Sequence, residues 1–198
     1  MPNTGKSKSG NKQADQVVFI DRDGVINEDP IGDYVKRWED FRFMPGVLTA
    51  LKQLIEAGFK IIIISNQAGV GDGEYTEDAL NDITDKMKME LRKNGILVHK
   101  IYYCLHGKNA GCDCRKPKTG LFERAARDIA FHPAETYFIG DKLTDVQAGK
   151  NFGLKTIFVL TGHGTVDQHK LQKNAQPEKI LPSLKEAVNY ILNQANHD

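Results

Sequence analysis

Four isoleucines in a row, Ile61–Ile64 in "KIIIIS", constrain this chain more than any other feature. Successive side chains of a strand point to opposite faces, so an uninterrupted apolar run needs cover on both sides. That points to an inner strand of a parallel sheet sandwiched between helices. The rest of the chain fits this frame. Val17–Ile20, "KIYYC" (100–104), "TYFIG" (136–140) and "KTIFVL" (155–160) read as further strands. Between them lie stretches with apolar residues at helical spacing. One opens at Pro45-Gly46 with Val47, Leu48, Leu51, Leu54 and Ile55 on a face, and Gly58 suits its end. A longer one follows Thr76, an N-cap residue, carries Leu80, Ile83, Met87 and Leu91, and stops at Asn94-Gly95. Others are expected over Leu121–Ile129, Asp145–Phe152 and Leu184 to about Gln194. Strand and helix alternating five times predict an α/β domain with helices on both faces of the sheet. The predicted organisation is a flexible polar tail over residues 1–15 and one domain over 16–198. Residues 165–182 are polar and irregular.

Composition removes several functional classes. A net charge of +1 gives no broad basic field for nucleic acid or anionic membrane. No apolar run approaches the ~20 residues of a membrane helix, and the N-terminal segment lacks the apolar stretch of a secretory signal. A cytoplasmic monomer acting on a small molecule is the expectation.

Ligands of open α/β sheets sit beyond the carboxyl ends of the strands. The residues there are Asp21-Arg22-Asp23-Gly24, then Ser65-Asn66-Gln67, then Arg115-Lys116-Pro117, then Gly140-Asp141-Lys142 with Asp145 following. An EF-hand also begins Asp-x-Asp, but its next oxygen ligand and glycine would fall on Val25 and Ile26. Phosphoryl transfer fits better. A carboxylate can act as nucleophile, here Asp21. A hard cation such as Mg²⁺ must then sit between carboxylate and phosphate, with Asp21 and Asp141 as its natural ligands. Lys116 can neutralise phosphate charge, and Ser65 can hold a phosphate oxygen. Asp23 can protonate the leaving oxygen and later deprotonate water. Singly, each piece has a plainer reading: a turn, a strand-end polar residue, a solvated lysine, or, for Asp145, a helix N-terminal acid. Their order along one α/β pattern argues for chemistry.

All three cysteines lie in "CLHGKNAGCDCRKP". Cys104, His106, Cys112 and Cys114 form a set suited to tetrahedral Zn²⁺ with no position left for water, hence a structural site. Zinc there would stiffen the loop that presents Arg115 and Lys116. Arg115 is the candidate to orient substrate, Asn66 can hydrogen-bond it, and Lys142 is a further contact. His99 and His163 read as ordinary surface or loop residues.

In "DRDGVIN", "SNQ", the lysine of "RKPK" and "GDKLTD", the chain resembles the haloacid-dehalogenase-like (HAD-like) phosphatases. The resemblance covers about Val17 to Gly164. It implies a Rossmann-like three-layer sandwich without a large cap, Mg²⁺, and an aspartyl-phosphate intermediate. It makes Asp21 nucleophile and Mg²⁺ ligand, Asp23 acid/base and ligand through its carbonyl, Ser65 and Lys116 phosphate-binding, Asp141 a Mg²⁺ ligand, and Asp145 a support of the acidic site. Within that superfamily, "GDYVKRWEDFRFMPGV", "GEYTED", "IYYC" and "CDCRKPKTG" resemble the D-glycero-D-manno-heptose-1,7-bisphosphate 7-phosphatases. The histidinol-phosphate phosphatases share the zinc loop, and the short spacing from His106 to Cys112 is nearer theirs. Two departures from the heptose group stand out: Leu105 and Gly107 in a loop that is usually proline-rich, and Asp72 in "NQAGVGDGEYT" where the group usually has arginine. A phospho-accepting or inactive binding module is the alternative of another class; an acid/base beside the nucleophile argues against it.

Overall fold

The computed structural model describes residues 14–30, 32–171 and 175–195. Among them, six strands form one parallel sheet in the order β3-β2-β1-β4-β5-β6. The strands are β1 (Val17–Ile20), β2 (Lys60–Asn66), β3 (Val98–Cys104), β4 (Tyr137–Gly140), β5 (Lys155–Val159) and β6 (Lys179–Leu181). The helices are α1 (Val47–Glu56), α2 (Ala68–Gly71), α3 (Glu77–Lys93), α4 (Gly120–Asp128), α5 (Leu143–Phe152), α6 (Gly164–Asp167) and α7 (Leu184–Ala195). Thr76 caps α3 by accepting from the Ala79 amide at 3.1 Å.

Alternation along the strands supplies two cores. Val18, Ile20, Ile61, Ile63 and Ile139 face α1, α3 and α7 through Leu51, Met87 and Val188. Val17, Phe19, Ile62, Ile64 and Phe138 face α4 and α5 through Leu121, Phe122 and Ala148. The isoleucine run is therefore buried on both sides, as its sequence requires.

Three expectations are corrected. Most of the 1–15 tail lies outside the described residues, but Asp15 belongs to the body: its amide donates to the Ala130 carbonyl at 2.8 Å and its carboxylate pairs with Lys60 at 2.7 Å. Ile129 leaves the helical face and continues as extended backbone after α4. The segment from 165 onward is not wholly irregular: it contains part of α6 and the edge strand β6.

The strand order sets up the site. β1 is central, with β2 on one side and β4 on the other, so the chain reverses direction of travel across the sheet beside β1. A crevice opens at such a reversal. Ile20 is in register with Ile63 of β2 and Ile139 of β4, and the Asp21 amide donates to the Ile139 carbonyl at 2.9 Å. Asp21, Ser65 and Asp141 thus leave neighbouring strands at one level.

Candidate active site

Three carboxylates gather at that level. Oxygens of Asp21, Asp141 and Asp145 lie within 4.8 Å of one another. All three residues are buried, Asp141 completely. Lys116 reaches them from the loop after β3: its Nζ stands 3.0 Å from Asp21 Oδ2 and 2.7 Å from Asp145 Oδ1, and donates to the Ile64 carbonyl at 3.1 Å. At 3% exposure it is no solvated surface lysine. Burial disfavours its charge, but Asp145 and Asp21 outweigh that and raise its pKa. Burial pushes Asp21 up, opposed by Lys116, and pushes Asp141 well above the usual carboxylate range. Lys116 and Lys142, two cations against three carboxylates, thus leave negative charge uncompensated. Asp141 Oδ1 is buried without a hydrogen-bond partner, while its Oδ2 accepts from the His163 amide at 2.7 Å. Hard oxygen donors, excess negative charge and one unused oxygen fit a Mg²⁺ ion at Asp21 and Asp141. The backbone makes room for them at Gly24, where φ is +85° and a Cβ would stand 2.1 Å from Asp141 Oδ2.

Asp23 is held by donors. Its Oδ1 accepts from Arg22 Nε at 3.1 Å, Arg22 Nη2 at 2.8 Å and Asn27 Nδ2 at 2.9 Å, and its Oδ2 accepts from Gln67 Nε2 at 2.7 Å. Burial raises its pKa, but the Arg22 charge and these hydrogen bonds prevail and hold it below the ordinary value. Ser65, also buried, shares the Gln67 amide at 3.0 Å. The Asn66 amide accepts from the Lys116 backbone N–H at 3.0 Å and donates to the Lys116 carbonyl at 3.2 Å. It fixes the lysine from a place on the cleft wall.

The cleft above these groups has a volume of about 720 Å³ and is lined by Asp23, Asn66, Arg115, Lys116 and Lys142 among others. Lys108, Arg115 and Lys118 bring positive charge to its rim from the cysteine loop. Sequence reasoning missed Asp29 and misjudged His163, both of which line the cleft. Asp29 Oδ2 pairs with Lys142 Nζ at 2.8 Å and His163 Nε2 at 3.1 Å. An acid in a loop beyond β1 carries no local signal of such a partnership.

The cysteine loop closes on itself. Sγ of Cys114 lies 3.1 Å from Cys104 and 3.6 Å from Cys112; Cys104 and Cys112 are 3.6 Å apart; His106 Nδ1 is 3.2 Å from Cys114 and 3.8 Å from Cys104. A tetrahedral zinc site with bonds of about 2.3 Å to sulfur has edges of about 3.8 Å. The four donors, three sulfurs and one imidazole nitrogen around one small volume, fit Zn²⁺. The two departures in this region meet each other: Asp72 Oδ1 accepts from the Lys108 amide at 3.1 Å, and a Cβ on Gly107 would lie 2.3 Å from that same oxygen. Asp72 faces the loop and is not among the residues lining the cleft.

Comparison with known proteins agrees with this geometry. Residues 113–187 match a family model described as HAD-hydrolase-like. The D-glycero-beta-D-manno-heptose-1,7-bisphosphate 7-phosphatase of Haemophilus ducreyi is 37% identical over 184 residues, 89% of this chain and 98% of that protein. The chain belongs to this family of HAD-like phosphatases. The corresponding alpha-anomer enzyme of Campylobacter jejuni is 34% identical over 88% of this chain and 95% of its own. A crystal structure of D,D-heptose 1.7-bisphosphate phosphatase from B. bronchiseptica, complexed with magnesium and phosphate, superposes with a TM-score of 0.83 at 32% identity, covering 90% of this chain and 99% of that one. The protein is thus a phosphoric monoester hydrolase with a capless Rossmann-like fold. Among the described residues, no helix is long and apolar enough to cross a membrane.

Proposed function

We propose that the protein removes the 7-phosphate of D-glycero-D-manno-heptose 1,7-bisphosphate through an aspartyl-phosphate. The observation that carries this reading is the meeting of Asp21, Asp141 and Lys116 at adjacent strand ends, in a chain spanned almost end to end by relatives bearing that name.

Asp21 is the nucleophile: one of its oxygens bonds to phosphorus as the bond to the sugar oxygen breaks. Asp23, kept ionised in the free protein by Arg22 and its hydrogen bonds, takes up a proton when the phosphate binds and gives it to that departing oxygen. Water then attacks phosphorus, the bond to Asp21 breaks, and Asp23 takes the water proton. Ser65 and Lys116 hold phosphate oxygens as charge builds on them. Asp21, Asp141 and the Asp23 carbonyl would hold Mg²⁺, with Asp145 placing Lys116 beside them. When bound, Mg²⁺ supplies the positive charge that lets a carboxylate approach a phosphate. Cys104, His106, Cys112 and Cys114 would hold a structural Zn²⁺ that keeps Arg115 and Lys116 in place. The rim cations Lys108, Arg115 and Lys118 favour a substrate with a second phosphate over histidinol phosphate, which has one.

The test is phosphate release with Mg²⁺ on both heptose anomers and on histidinol phosphate. A preference in kcat/KM for a heptose bisphosphate of about a hundredfold, or about 2.7 kcal/mol, is expected, with turnover lost in Asp21→Asn. Preference for histidinol phosphate would overturn the substrate assignment.

A further inference from the structure

Gln67 is 2% exposed and every polar atom of its amide is engaged. Its Oε1 accepts from the Tyr75 hydroxyl at 2.6 Å and from Arg22 Nη2 at 3.1 Å. Its Nε2 donates to Asp23 Oδ2 at 2.7 Å and to Ser65 Oγ at 3.0 Å. The orientation is enforced, because rotating the amide would set its N–H groups against the guanidinium of Arg22. Arg22 is itself 1% exposed and lies 5.7 Å from the centroid of the Tyr103 ring, so the assembly is fixed from behind.

We infer that Gln67 is a positioning residue that joins the acid/base to the phosphate-holding hydroxyl and fixes which oxygen of Asp23 serves the leaving group. Asp23 Oδ1 is filled by three donors from Arg22 and Asn27. Oδ2 has the Gln67 amide alone, on a residue that lines the cleft. Through Nε2, this oxygen and Ser65 Oγ are held as one rigid pair. The acid thereby meets the bridging oxygen of the phosphate that Ser65 grips. The inference rests on the phosphatase reading with Asp23 as acid.

A residue that serves the acid matters only where the departing oxygen needs a proton. An alkyl phosphate such as the heptose substrate needs one; p-nitrophenyl phosphate releases a stable anion and does not. The ratio kcat/KM covers steps only through departure of the alcohol, so later use of Asp23 toward water does not blur the comparison. Two variants carry the test. Gln67→Ala removes the amide. Gln67→Glu keeps its shape and its Tyr75 and Arg22 contacts but replaces the donor to Asp23 with an acceptor. In both, kcat/KM for the heptose bisphosphate should fall about thirtyfold further than that for p-nitrophenyl phosphate, which loses only what the freed Ser65 hydroxyl contributes to holding the phosphate. Equal losses on the two esters, or none on either, in variants with native circular dichroism, would overturn the inference alone. A wild-type protein inactive on both esters would overturn it together with the proposed function.

Discussion

The two ligand clusters of this protein are built in opposite ways. The acidic cluster draws Asp21 from the end of β1, Lys116 from the loop after β3, Asp141 from the end of β4 and Asp145 from the first turn of α5, and it exists because the sheet is ordered as it is. The cysteine cluster draws all its donors from one loop, Cys104 to Cys114, and owes little to the sheet beyond the start of that loop at the end of β3. In the first, an oxygen of Asp141 is left over beside the cleft. In the second, four side chains face one another around one small volume. An incompletely satisfied site can do chemistry; a closed one can only hold shape. They join at Lys116, which follows the last cysteine by two residues and ends inside the acidic cluster.

That junction is where the contrast breaks most violently. Lys116→Met leaves three buried carboxylates without their cation, so kcat/KM should drop about a thousandfold and stability by about 3–5 kcal/mol. Urea denaturation with and without Mg²⁺ checks this; a variant as stable as wild type in the absence of Mg²⁺ would mean that Lys116 is not the compensating charge. Next in size is Cys112→Ser, which opens the closed site while leaving the acids alone. Zinc content should fall below one per chain, the melting temperature by about 10 °C, and phosphatase activity with it. Undiminished zinc would show that Cys112 is not a ligand. Smallest is the Asp72–Gly107 contact. Asp72→Ala loses a hydrogen bond worth about 1 kcal/mol, or about 3 °C in melting temperature. Gly107→Ala should cost about as much, because its new Cβ displaces the Asp72 carboxylate and breaks the same bond, and the double variant should cost little more than either alone. Strict additivity in this cycle would mean that the two positions do not compete for space.

The parts of the site that were legible in the sequence are those placed by the sheet alone. Asp21, Ser65 and Asp141 each follow an apolar run, so strand assignment was enough to bring them to one edge. The cysteine loop was legible because its donors are close in sequence and of one chemistry. What escaped were partnerships across distance. Gln67 meets Arg22 across 45 positions and Lys142 meets Asp29 across 113, and nothing local marks either pair. The clamp of Asn66 on the Lys116 peptide is likewise remote in sequence. The edge strand β6 escaped for a different reason. Its residues are exposed or half-buried, so Lys-Ile-Leu shows no apolar run to mark it.

The amide of Asp21 donates to the carbonyl of Ile139, one rung of the same ladder that holds β1 to β4. Asp21 and Asp141 are therefore separated only by an event that unzips the centre of the sheet, and such an event is unfolding of the whole. The spacing between them has no low-energy fluctuation of its own. Substrates of different shape must be accommodated by the rim, where loops can yield, while the reacting centre behaves as a fixed gauge for as long as the domain stays folded.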